Sequence, residues 1–106
     1  MVSRGDVWLV NLDPTIGSEI RKSRPFVVIS PPELNDHLKT VIVAPMTSQG
    51  FQAPFRIQLT FQGKAGLVLL DQLRSIDKSR LNKKLGRLQS KTLNATLQKL
   101  HELFEV

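Results

Sequence analysis

Short β-branched apolar runs, each closed by proline or glycine, constrain this chain most. Residues 7–10, 25–30, 40–44 and 65–70 are such runs. Residues 55–61 instead alternate, with Phe55, Ile57, Leu59 and Phe61 set against Arg56, Gln58 and Thr60. A period of two over that length predicts a half-buried strand, and the continuous runs predict buried ones. Turn signals separate them at Asp13-Pro14-Thr15, Pro31-Pro32, Pro45, Gly50 and Gln62-Gly63-Lys64. Residues 33–39 form a polar excursion with room for one helical turn. The period then changes. Ser90 is placed to cap a helix, and Leu93, Leu97, Leu100 and Phe104 fall on one face of it. The reading is a mainly β chain with a C-terminal α-helix covering a small curled antiparallel sheet or barrel.

At 106 residues the chain is long enough for one domain and one core, and residues 1–106 are taken as that domain. It has no cysteine, which removes disulfides, thiolate zinc sites and thiol nucleophiles. His37 and His101 lack metal-ligand spacing, so neither a metal nor a cofactor is expected. No apolar stretch is long enough to span a bilayer, and no long apolar region follows the N-terminus. A cytoplasmic protein is expected.

The net charge is +6, and between Arg74 and Lys91 the run Arg74, Lys78, Arg80, Lys83, Lys84, Arg87, Lys91 is opposed by Asp77 alone. A local basic field of this kind suits a nucleic-acid backbone, which it would attract without reading sequence. A solvated, solubilising surface is the alternative.

Two polar clusters are not required by folding. Gly17-Ser18-Glu19-x4-Arg24-Pro25 precedes one apolar run, and Pro45-Met46-Thr47-Ser48 follows another. A carboxylate, a guanidinium and a hydroxyl brought together at strand ends can deprotonate an alcohol and stabilise charge on a phosphate. Glu19 is the candidate general base, or a surface glutamate paired with Arg21 or Lys22. Arg24 is the candidate fork on the non-bridging phosphate oxygens. A guanidinium holds its protons tightly, so charge stabilisation is the favoured role of Arg24, with proton donation to the leaving group by Arg24 or a water left open. Thr47 can donate to the phosphate or cap its loop, and Ser48 suits a turn or supporting role. Phe51 can stack on an unpaired base, Phe55 belongs to the alternating core face, and Trp8 reads as a core residue.

The chain resembles the MazF/PemK (Kid) family of toxins of bacterial toxin–antitoxin systems. The blocks that carry the likeness are Gly5-Asp6-Val7-Trp8, Leu12-Asp13-Pro14-Thr15, the Gly17 to Pro25 cluster, Pro45-Met46-Thr47-Ser48 and Asp71-Gln72-Leu73-Arg74-Ser75-Ile76. Each is weak alone; five in order at matching spacing are specific. The resemblance implies an SH3-like, PemK-like barrel and a homodimer. It implies metal-independent, sequence-specific cleavage of single-stranded RNA to 2′,3′-cyclic phosphate and 5′-hydroxyl ends, and a cognate antitoxin that blocks the RNA site. It makes Glu19, Arg24 and Thr47 catalytic. Asp13, Ser18, Ser48, Phe51, Asp71, Gln72 and Arg74 are expected to bind substrate around them, although Asp71 can instead hold strand ends together. The Kid branch has histidine at Ser18 and arginine at Leu69, so the MazF-type arrangement fits better. Two other classes compete. A gyrase inhibitor of the CcdB type would not need Glu19, Arg24 and Thr47 together. A plain RNA-binding barrel would bind without cutting.

Overall fold

The computed structural model describes residues 1–12 and 23–106. Seven strands occur among them: β1 (Asp6–Asn11), β2 (Ser23–Val28), β3 (Thr40–Thr47), β4 (Arg56–Phe61), β5 (Lys64–Leu69), β6 (Arg74–Asp77) and β7 (Leu81–Arg87). Two helices join them, α1 (Pro32–Asn35) and α2 (Ser90–Leu103). The strands form one antiparallel sheet in the order β4-β5-β3-β2-β1-β7, with β6 also pairing with β3. The sheet curls, and the side chain of Gln62 at the β4–β5 turn donates to the Leu85 carbonyl of β7 across 2.8 Å. The mainly β, curled half-barrel architecture with a C-terminal helix follows the sequence expectation.

β2 and β3 lie at the middle of the sheet and are covered on both faces, which is why they read as unbroken apolar runs. Val27 and Ala44 turn to a core shared with Val7, Met46, Val68, Leu70 and Leu100. Phe26, Val28 and Val43 turn to a second core with Val10, Val41 and Ile76, against which Trp8 packs half-buried. Burying a side chain of this size contributes roughly 1.5–3 kcal/mol. Leu93 and Leu97 of α2 pack on the first core with buried Leu100. None of the described helices is long and apolar enough to cross a membrane.

Four expectations are corrected. Pro45 does not close β3, which runs on to Thr47. It stands where the ladder to β2 ends, at Phe26↔Pro45, and the ladder to β5 begins, at Met46↔Val68, so its missing N–H breaks neither. Ser90 is the first helical residue rather than the cap; Gln89 holds the cap position, with no side-chain hydrogen bond. Phe104 lies beyond the last turn of α2 and is 72% exposed, so it does not join the apolar stripe. Phe55 precedes β4, and its ring faces the Arg56 guanidinium at 5.7 Å instead of entering the core.

β7 was not expected from the sequence. Its residues, LNKKLGR, carry neither alternation nor an apolar run because β7 is an end strand with lysines facing water. It lies within the basic run and explains much of it. Arg87 Nη1 and Lys84 Nζ approach Oδ1 of fully buried Asp6 at 2.7 and 3.4 Å. Arg80 donates to the carbonyls of Leu12 and Asn11 at 2.6 and 3.2 Å. Lys78 donates to the Asn35 carbonyl. These four cations have structural partners, so the run is not simply a free basic surface.

Candidate active site

Strand exchange along β3 builds the site. Its first part pairs with β6 and β2, and its last two residues pair with β5, which brings the β4–β5 hairpin beside the start of β2. The result is an open groove of about 530 Å³. Arg24 and Pro25 of β2 line one part of it, and Met46, Thr47, Ser48 and Gln49 another. Leu59, Phe61, Leu67 and Leu85 supply an apolar lining, while Gln62 and Lys64 add polar groups from the hairpin.

Arg24 is exposed and sits in a rigid ladder opposite Val10. Next to it, Ser23 Oγ donates to Asn11 Oδ1 at 2.9 Å, which ties the end of β1 to the start of β2. Thr47 is half-buried at the end of β3, and its Oγ1 accepts the Gln49 amide hydrogen at 3.1 Å. That bond does not use the hydroxyl's own proton, which remains available to donate. The loop-capping half of the expectation is met by this bond, and the unused proton leaves the hydroxyl chemically able to donate as well.

Three of the sequence candidates, Arg24, Thr47 and Ser48, line this groove. Glu19, Ser18 and Asp13 lie outside the described residues. Asp71, Gln72, Arg74 and Phe51 do not line it. Arg74 pairs with Val43 in the β3–β6 ladder, and Gln72 is exposed in the turn that precedes β6. Phe51 is 66% exposed on the loop after Thr47.

Asp71 is bound by Arg56, Nε to Oδ1 at 3.2 Å and Nη2 to Oδ2 at 3.1 Å. The Arg56 hydrogen bonds hold this carboxyl below the usual carboxylate range against the opposing effect of burial. Arg56, Lys64, Gln49 and Gln62 were not singled out in the sequence. Arg56 reads there as the polar half of an alternation, and its partner is visible only in the strand register.

With this geometry established, comparison with known proteins decides the family. The family of PemK-like, MazF-like toxins of type II toxin–antitoxin systems matches residues 3–104. The chain belongs to that family. It is 37% identical over 105 residues to endoribonuclease PemK of Escherichia coli, covering 93% of this chain and 79% of that protein. It is 36% identical over 99 residues to endoribonuclease MazF of Staphylococcus saprophyticus, covering 88% and 82%. Among solved structures, a MazE–MazF complex from Deinococcus radiodurans superposes with a TM-score of 0.80 at 31% identity, covering 96% of this chain and 94% of that one. As a member of this toxin family, the chain carries Arg24 and Thr47 on two different strands that converge on one groove.

Proposed function

We propose that this chain is an endoribonuclease toxin that cuts single-stranded RNA at specific sequences without a metal ion, and that a cognate antitoxin holds it inactive. The observation that carries the reading is the convergence of Arg24 and Thr47 on one groove, in a chain over a third identical to two endoribonucleases.

RNA brings its own nucleophile. The 2′-oxygen attacks the adjacent phosphorus as its proton passes to a base, for which Glu19 is the candidate in the segment between β1 and β2. The phosphorane that forms carries charge on its non-bridging oxygens. Arg24 supplies a fixed cation and forked donors to them, and the Thr47 hydroxyl a further donor. The bond from phosphorus to the 5′-oxygen then breaks, and that oxygen takes a proton from Arg24 or a water. The products are a 2′,3′-cyclic phosphate and a 5′-hydroxyl. Lys64 and the apolar lining of the groove suit the flanking phosphate and base. Assembly as a homodimer belongs to the same proposal, as does neutralisation by a MazE-like protein, which is supported by the MazE–MazF complex of similar fold.

The test is incubation of a long, unstructured RNA with the protein in excess EDTA, with analysis of the new ends. Discrete fragments ending in cyclic phosphate are expected. No cutting, or cutting that needs added metal, would overturn the reading and direct attention to gyrase inhibition or simple RNA binding.

A further inference from the structure

Arg56 makes three directed contacts at once, although it was not among the residues expected to act. Its Nε and Nη2 grip both oxygens of Asp71, and its Nη1 donates to the Phe51 carbonyl at 3.1 Å. The guanidinium carbon lies 4.3 Å from the centre of the Phe51 ring. The Arg56 side chain is 9% exposed, so the fork is enclosed and does not reach freely into solvent.

The strand register explains its place. Arg56 is directly opposite Leu69 in the β4–β5 ladder, two residues before Asp71. Here a guanidinium reaches the carboxylate of Asp71 from the neighbouring strand. Each oxygen of that carboxylate accepts from the guanidinium, which stabilises the charged form and makes it a weaker base for a substrate proton.

The same arginine meets the loop that follows Thr47. A Cβ placed on Gly50 would lie 3.5 Å from Arg56 Nη1 and 3.9 Å from Thr47 Cγ2, so the arginine and the threonine flank one residue. Gly50 has φ +117, a conformation other residues rarely adopt, so the path of the loop past Arg56 depends on glycine at that position. Between Thr47 and Phe51 lies Gln49, whose amide orients the Thr47 hydroxyl.

We propose that Arg56 and Asp71 form a clamp that fixes the loop from Ser48 to Phe51, and that both are positioning residues for Thr47 and for Phe51 as a stacking platform for an unpaired base. Arg56 covers one side of the Phe51 ring, and the ring's high exposure leaves surface for a base. The clamp itself is an inference about this chain's loop; its catalytic consequence rests on the ribonuclease reading. In this arrangement Asp71 neither gives nor takes the substrate's proton.

The experiment measures hydrogen exchange of the amides of residues 48–53 alongside single-turnover cleavage and substrate affinity. It compares wild type with Arg56→Ala, Arg56→Lys, Asp71→Asn, Asp71→Glu and the Arg56→Ala/Asp71→Asn double variant. The clamp predicts exchange about tenfold faster at the loop amides in Arg56→Ala and Asp71→Asn, with the rest of the sheet unchanged. It predicts a cleavage rate lowered about ten- to a hundredfold in each, with the double variant no worse than the poorer single. Lysine cannot reproduce the three contacts, so Arg56→Lys should resemble Arg56→Ala, whereas Asp71→Glu should recover part of the rate. Loss of cleavage in Asp71→Asn with loop exchange unchanged would overturn the proposal and return Asp71 to the chemistry. Unchanged exchange and unchanged rate would overturn it equally. If wild type cuts no RNA, the function proposed above fails, and loop exchange alone still decides whether the clamp exists.

Discussion

β5 passes so close to the end of β3 that a Cβ on Gly66 would lie 2.8 Å from the carbonyl oxygen of Thr47. Real Cβ atoms essentially never approach a backbone oxygen so closely, and the obstacle here is backbone, not a flexible side chain. Gly66→Ala must therefore push Thr47 aside. We expect it to cost about 1–3 kcal/mol in stability and to lower the cleavage rate about tenfold or more while affinity changes less. Thermal melts and single-turnover kinetics on the same preparation check both parts.

Thr47 itself separates the two uses of its hydroxyl. Thr47→Ser keeps an acceptor for the Gln49 amide and a proton to donate, so it should retain most activity. Thr47→Val is similar in size but lacks both, and should lose about a hundredfold or more in rate. Equal rates for the two variants would remove the hydroxyl from the chemistry.

Asp6 is fully buried, and its oxygens face Arg87, Lys84, the Ser3 amide at 2.9 Å and the Trp8 indole at 3.4 Å. Removing its charge leaves the close Arg87 contact without its anion. Asp6→Asn should destabilise the fold by about 2–4 kcal/mol in urea titrations. Lys84→Ala should cost less than about 1 kcal/mol, since Lys84 is more distant and 44% exposed.

Acid should release the Arg56–Asp71 pair. The Asp71 carboxyl is held below its ordinary value when folded, so its stabilisation is fully present above that ordinary value. It is lost as pH falls through the folded value. The stability difference between wild type and Asp71→Asn should be largest near about pH 7 and should shrink toward about pH 3. A difference that grows on acidification would contradict the sign.

Salt dependence should distinguish the cations. Lys64 lines the groove, whereas Arg87 is paired with Asp6. Lys64→Ala should weaken RNA binding and reduce the slope of log affinity against log salt by about one. Arg87→Ala should change the slope less than Lys64→Ala does.

What the sequence revealed follows from where its residues sit. Residues 26–29 and 41–44 were legible as strands because both faces of β2 and β3 are covered, and Leu93 and Leu97 marked α2 because their spacing matches its period. β7 was hidden because an end strand needs no apolar alternation and uses lysine to keep other strands away. Pro45 misled because its meaning depends on a change of partner that only the sheet reveals. Arg24 and Thr47 were legible through their motifs. Arg56 was not, since an arginine on a half-exposed strand looks like solvent-facing polarity until its register opposite Leu69 and its reach to Asp71 are known.

If Arg24 and Thr47 act on one phosphate, loss of the Arg24 fork must slow the chemistry far more than it weakens binding. The decisive measurement is the single-turnover rate on one defined RNA, with affinity measured in parallel, for wild type, Arg24→Ala and Arg24→Lys. Arg24→Ala should slow cleavage by about a hundredfold or more, weaken binding by about tenfold at most, and be only partly relieved by lysine, which lacks the fork. Equal cleavage rates for wild type and Arg24→Ala would contradict this shared action on the phosphate.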